Sequence, residues 1–172
     1  MSAEPTPFVA LRGITKTYGG VHALHDVSFA IGRREIHALV GENGAGKSTL
    51  VKILTGVIQP DDGVVFVEGQ PQRIGSPQAA HQLGIVAMYQ EPTVFQDLTV
   101  AENVFAGRHP RTSLRTVDWT EMRTEASRIL DELGVDFGPD TPVRALGVAD
   151  RQMLEIAKAL SSNARLLIMA RG

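Results

Sequence analysis

The chain has 172 residues, with 17 Lys and Arg against 19 Asp and Glu, a formal net charge of −2. That length suits one domain able to bury roughly 70% of its unfolded surface, and 43% apolar with 21% charged residues argues against intrinsic disorder. The near-neutral balance weighs against a broad nucleic-acid-binding face, and zero cysteines exclude a disulfide framework, thiol catalysis and Cys-ligated zinc.

In chain order, residues 1–7 read as a loose polar tail without the charged and apolar regions of a secretory signal. Phe8 to Tyr18 and Ala23 to Ile31 alternate partly between apolar and polar, which predicts two half-buried strands. Glu35 to Val40 is a short, mostly apolar run before a glycine and predicts a buried strand. Leu50, Ile53 and Leu54 at helical spacing predict a helix from Lys47 to Thr55, with Gly56 as its stop. Pro60-Asp61-Asp62-Gly63 and Glu68-Gly69 are turns on either side of a strand from Val64 to Val67. A short helix follows from Ser76 to Leu83, with Pro77 at its first position, and then a buried strand from Ile85 to Tyr89.

Beyond about residue 91 the pattern becomes helical. Thr99-x-x-Glu102 is a capping box opening a helix that stops near Gly107. Asp118-x-x-Glu121 opens a longer helix with Trp119, Met122, Ala126, Ile129, Leu130 and Leu133 on one face and Gly134 as its stop. Met153, Leu154, Ile156, Ala157 and Leu160 mark a third helix, and Leu166 to Ala170 is a final apolar run. The longest apolar runs fall far short of the ~20 residues needed to span a bilayer.

The chemistry concentrates at Gly41-Glu42-Asn43-Gly44-Ala45-Gly46-Lys47-Ser48, a G-x-x-x-x-G-K-[ST] phosphate loop set between a predicted strand and a predicted helix. Glycines let such a loop wrap so that its N–H groups point at phosphate oxygens, and the following helix adds its positive end. Lys47 is positioned to bridge the β- and γ-phosphates, and the Ser48 hydroxyl to bind Mg²⁺.

Glu42-Asn43-Gly44-Ala45 as the filling of this loop resembles the ATP-binding subunits of ABC transporters. The resemblance implies a P-loop α/β fold with an N-terminal antiparallel β part and a helical insert at about 97–160, within a domain covering 8–172. It further implies ATP and Mg²⁺ as cofactors, with Gly41, Asn43, Gly44, Ala45, Gly46, Lys47, Ser48 and Thr49 around the phosphates and Tyr18 stacked on the adenine. Gln90, in Tyr89-Gln90-Glu91-Pro92, looks like the glutamine that senses Mg²⁺ and the attacking water. Leu146-Gly147-Val148-Ala149-Asp150 resembles the signature motif, which serves the ATP held by the opposite domain. Here Gly147 lacks a hydroxyl and Ala149 adds a methyl. The run Gln152 to Leu160, taken with Tyr89 to Pro92, is similar to the first domain of tandem ATPases that import ribose, galactose or xylose. Expected partners are a second nucleotide-binding domain, a membrane permease and, indirectly, a substrate-binding protein, without nucleic acid. The expected location is the cytoplasmic face of the membrane.

One departure qualifies the activity. Leu166 to Met169 resembles the Walker B strand, which in the family runs into Asp and then Glu; here positions 170 and 171 are Ala and Arg. With no carboxylate to hold Mg²⁺ or polarise water, the isolated chain is expected to be hydrolysis-deficient, the front of a domain truncated at Walker B. A non-hydrolysing remnant and a non-transport ABC ATPase are the rival readings. Glu68 follows an apolar strand but sits in turn chemistry, which favours a solvated hairpin. His22-x-x-His25 has no cysteine partner and is not expected to hold metal. Gly107 to Val117 carries Arg108, His109, Arg111 and Arg115, either as a solvated loop or as a docking segment for the membrane partner.

Overall fold

The computed structural model of the chain describes residues 6–88 and 94–169. Two compact units follow one another, residues 1–87 and 88–172.

The first unit is built on an antiparallel sheet. β1 (Val9–Tyr18) lies between β2 (Val21–Ile31) and β3 (Asp62–Val67), and β4 (Gln70–Gln72) closes the edge in the order β2-β1-β3-β4. Leu11 marks the register, facing Phe29 on one side and Val65 on the other. The ladder of β1 and β2 shifts between Leu11 and Ile14, where Gly13 and Asp26 both adopt positive φ. Such a bulge bends the strand and sharpens its twist. Lys16 donates to Asp61 at 2.6 Å, tying β1 to the turn before β3. That bond and the Thr17 N–H hold the Asp61 carboxyl below its ordinary range. Phe8, Val9, Leu11, Ile14, Leu24, Val65 and Val67 form the buried face of the sheet.

Two helices complete the unit. α1 (Lys47–Leu54) buries Leu50, Ile53 and Leu54, and Gly56 follows its end with positive φ. α2 (Pro77–Gln82) begins at Ser76, whose hydroxyl accepts from the Ala79 N–H. β5 (Ile85–Met88) buries only Ile85, rather than the whole strand the sequence predicts.

The apolar run Glu35 to Val40 is a correction. It forms no strand, and Ile36 and Val40 stand 101% and 85% exposed. A strand exists only where a neighbour takes its N–H and C=O groups, and none of the described residues does so here. Local polar contacts hold the segment instead. The Glu35 carboxylate accepts from the Gly32 N–H at 2.5 Å and pairs with His37 Nδ1 at 3.0 Å.

The second unit packs α3 (Val100–Val104), α4 (Trp119–Leu133) and α5 (Val148–Ser161), with β6 (Leu166–Met169) after them. Its core joins Val100, Val104, Met122, Ala126, Ile129, Leu130, Val143 and Leu154. Each predicted helix start is present: Thr99 and Glu102 make the reciprocal capping box, and Asp118 accepts from the Glu121 N–H. Gly134 ends α4 in the left-handed conformation. Trp119 and Leu160 are exceptions to the predicted apolar faces, being 49% and 42% exposed. Trp119 is the first residue of α4, and Leu160 lies in the last turn of α5.

Asn103 is the polar centre of this unit. It is fully buried; its amide nitrogen donates to the carbonyls of Phe95 and Thr99, and its oxygen accepts from the Phe95 N–H at 2.7 Å. Asn103→Leu leaves the Phe95 N–H without its acceptor and takes one of two donors from the Phe95 and Thr99 carbonyls, which the Leu98 and residue-103 N–H groups still reach; it is expected to cost about 1–3 kcal/mol. Urea unfolding should show this as a lower midpoint with an unchanged slope. The Thr99 N–H and hydroxyl hold the Glu102 carboxyl below its ordinary value of 4.5. Stability from this group is therefore full above the unfolded carboxyl value and declines as pH falls through the lower folded value. A pH series of melts should show that acid loss in the parent chain and a smaller one in Glu102→Gln.

Candidate functional site

The loop from Gly41 to Gly46 leads straight into α1 without a side-chain cap, and Gly46 takes the cap position at φ 82°. Space as well as φ requires glycine there: a Cβ on Gly46 would lie 2.3 Å from the Ala23 carbonyl oxygen and 2.7 Å from Leu24 Cδ2. The loop is thus pressed against β2. Gly44, also left-handed at φ 89°, faces open space.

The arrangement of donors suits an anion. The Ala45 N–H is spent on the Glu42 carbonyl at 3.1 Å and the Leu50 N–H on the Gly46 carbonyl at 2.9 Å. The N–H groups of Gly44, Gly46, Lys47, Ser48 and Thr49 have no acceptor among the described residues. These five donors lie in or directly after the loop, at the positive end of α1. Gly41, Glu42, Asn43, Gly44, Ala45 and Ser48 are exposed, while Lys47 and Thr49 are partly buried.

Lys47 is folded back over the loop. Its ammonium donates to the carbonyls of Gly41 at 2.6 Å and Glu42 at 2.8 Å. Two carbonyls give the cation a partial counter-charge and hold it against the loop. A bound phosphate chain would compete for that cation.

Tyr18 closes β1 opposite Val21, 47% exposed, with Lys16 Nζ 5.6 Å from its ring centroid. Ala23, which touches the loop at Gly46, is two residues beyond Val21 on the same strand, about 7 Å along it. The ring is thus available to a planar group and lies within a short reach of the loop. It is more open than the half-buried strand position its alternating pattern suggests.

In the second unit Leu146 is buried, whereas Gly147, Val148 and Ala149 are exposed at the start of α5. The Asp150 carboxylate accepts from the Gly147 N–H at 3.3 Å. That amide is therefore engaged within its own helix start rather than free for an outside ligand. Gln90, like Ala170 and Arg171, lies outside the described residues.

The remaining sequence candidates behave as side chains of the scaffold. Glu68 sits in the β3–β4 turn and pairs with Arg33. His22 and His25 place their ring centroids 5.1 Å apart, and no group of three His, Cys, Asp or Glu suited to a metal occurs among the described residues. No helix among them is long and apolar enough to cross a membrane. Sequence reasoning missed Asn103 and the structural role of Arg108. The guanidinium of Arg108 donates to the carbonyls of Ser161 at 3.0 Å and Val104 at 3.2 Å, bracing the ends of α3 and α5. Helix C-termini favour a cation, but sequence spacing does not show that Arg108 will meet a helix end 53 residues away at Ser161.

Comparison with known proteins follows this geometry. The profile of the ABC transporter family matches residues 24–169. Ribose import ATP-binding protein RbsA 2 of Streptomyces avermitilis is 49% identical over 165 residues, which cover 96% of this chain and 33% of that protein. Ribose import ATP-binding protein RbsA of Rhodococcus jostii is 49% identical over 170 residues, covering 98% of this chain and 34% of that protein. The chain thus spans about a third of the length of these relatives. Among solved structures, a nucleotide-free ATP-binding cassette from an ABC transporter superposes with a TM-score of 0.78 at 28% identity, covering 94% of this chain and 68% of that one. An ATP-binding cassette in its ADP conformation gives a TM-score of 0.79 at 25% identity, covering 93% and 66%.

Proposed function

The chain belongs to the ABC transporter family, and from that premise we propose that it is the ATP-binding part of an importer for simple sugars. The observation that carries the nucleotide reading is the set of N–H groups of Gly44, Gly46, Lys47, Ser48 and Thr49 without an acceptor among the described residues, gathered around a lysine at the start of α1. The sugar reading rests on its likeness to ribose import ATP-binding proteins, at 49% identity over nearly the whole chain.

In this proposal the amides of Gly44, Gly46, Lys47, Ser48 and Thr49 bind the phosphate oxygens. Lys47 leaves the Gly41 and Glu42 carbonyls to bridge the β- and γ-phosphates. Gly41, Asn43 and Ala45 complete the wrap, and Tyr18 stacks on the base. Each contact exchanges water or a loop carbonyl for a fully charged partner, and an anion contact strengthens such hydrogen bonds about twofold. The exposed Ser48 hydroxyl, a hard oxygen donor, would hold a nucleotide's Mg²⁺. When bound, Mg²⁺ neutralises charge on the β- and γ-oxygens. Gln90 is proposed to meet that metal and the attacking water.

The coupling partners are also proposed: a second nucleotide-binding domain, a permease reached through the helical part formed by α3, α4 and α5, and a substrate-binding protein beyond it. That places the chain at the cytoplasmic face of a membrane. Donation across a domain pair from the Leu146–Asp150 segment would rest on backbone amides other than that of Gly147, which carries no hydroxyl and whose N–H is held by Asp150.

Ala170 and Arg171 stand where the family carries the two acids that serve Mg²⁺ and water. The 172-residue chain is therefore proposed to bind ATP without turning it over. Equilibrium binding and phosphate release, measured together at saturating Mg-ATP, test both parts. Binding with release at background is expected. Release well above background contradicts the hydrolytic part, and absence of binding contradicts the nucleotide part.

A further inference from the structure

The second unit contains a cavity of about 510 Å³ that the nucleotide reading does not use, lined by Gly107, Arg108, His109, Arg111, Arg115 and Val117. Its wall is a small hairpin. Arg111 bridges Val117, the Thr112 N–H donates to the Thr116 carbonyl at 2.9 Å, and their hydroxyls are 2.8 Å apart. Arg115 completes the turn at φ 62°, a left-handed conformation costly for a residue with a side chain.

Charge in this cavity is one-sided. Arg111 and Arg115 form no ion pair among the described residues. The neighbouring acids are already committed: Glu102, whose charge interacts with His109, accepts from the Thr99 N–H and hydroxyl, and Asp118 caps α4. Arg108 is fixed in the floor by the Ser161, Val104 and Lys158 carbonyls, so its charge is held in place rather than free to turn outward. Burial lowers its affinity for the proton. Two unpaired guanidiniums, an imidazole and a fixed third guanidinium around one concavity present a surplus of donors, with no carboxylate in the lining.

We infer that this cavity binds a phosphate-bearing anion, with Arg111 and Arg115 as its principal ligands, His109 adding a ring N–H and the fixed Arg108 adding positive charge. Guanidiniums match phosphate oxygens as paired forks, which sets a phosphate apart from a simple halide. The phosphate can belong to a soluble molecule or to a lipid headgroup.

Amide-resolved NMR on the full 172-residue chain tests this with inorganic phosphate in one arm. The other arm uses vesicles of anionic phosphatidylglycerol against neutral phosphatidylcholine. Saturable shifts across Gly107–Val117 with phosphate, or attenuation of those signals by anionic but not neutral vesicles, are expected. Whichever arm responds identifies the source. Arg111→Gln and Arg115→Gln should each weaken the response about tenfold, the effect of one charge-assisted contact. Three results overturn the inference: no response in either arm, an equal response to chloride at matched ionic strength, or a response unchanged in both variants. Signals from Gly41–Thr49 report phosphate at the nucleotide loop separately, so neither reading can stand in for the other.

Discussion

Lys47→Ala is expected to weaken ATP binding by about a hundredfold while changing the stability of the chain by no more than about 0.5 kcal/mol. The two halves of that expectation have different origins. In the structure the ammonium is bound to the Gly41 and Glu42 carbonyls, in a loop open to water. Water replaces those contacts when the side chain is removed, so little folding energy is lost. With ATP bound, the same ammonium would meet phosphate oxygens, and two charge-assisted contacts at about 1.5 kcal/mol each account for the hundredfold. Lys47→Arg should recover little of it, because a planar fork on a longer stem does not match a point charge seated between two carbonyls. Calorimetric titration with ATP, set beside a urea melt of each variant, separates binding from stability.

Gly46→Ala should fail for the opposite reason, by damaging the fold before binding is considered. At φ 82° an alanine pays about 1–2 kcal/mol in backbone strain, and its Cβ would stand 2.3 Å from the Ala23 carbonyl oxygen. Relief requires α1 and β2 to part, which adds about 1–3 kcal/mol of overpacking. A loss of about 3 kcal/mol or more is expected in the urea midpoint. Gly44→Ala provides the control. Its φ is also left-handed, but nothing lies within 4 Å of the new methyl, so only the conformational cost of about 1–2 kcal/mol applies. Equal losses in the two variants would contradict the contact between the loop and β2.

The features legible in the sequence are those fixed by a few neighbouring residues. Thr99 and Glu102 satisfy each other's N–H groups, Asp118 accepts from the Glu121 N–H and Ser76 from the Ala79 N–H, and the three helices begin where these residues stand. Gly56, Gly84 and Gly134 follow helices at positive φ, as their positions suggest. The phosphate loop is legible for the same reason, since its chemistry lies within eight consecutive residues. Glu35 to Val40 reads as a strand from its apolar pattern, but such a run becomes a strand only through partners elsewhere, and periodicity does not report them. Trp119 and Leu160 were placed on buried faces by spacing, yet helix ends reach beyond the packed surface they begin or finish. Asn103 left no pattern at all. A polar residue inside a helix reads as exposed until the carbonyls it satisfies at Phe95 and Thr99 are known. Arg108 likewise depends on two helix ends that meet only in the folded chain.

The central claim is that the Gly41–Thr49 segment cradles the phosphates of a nucleotide beside Tyr18. Amide-resolved NMR titration of the 172-residue chain with Mg-ATP measures it most directly. Saturable shifts at Gly44, Gly46, Lys47, Ser48 and Thr49, accompanied by ring-proton shifts at Tyr18 and absent in Lys47→Ala, are the predicted result. Saturable binding that leaves these amides unmoved, or that persists at the same affinity in Lys47→Ala, would contradict it.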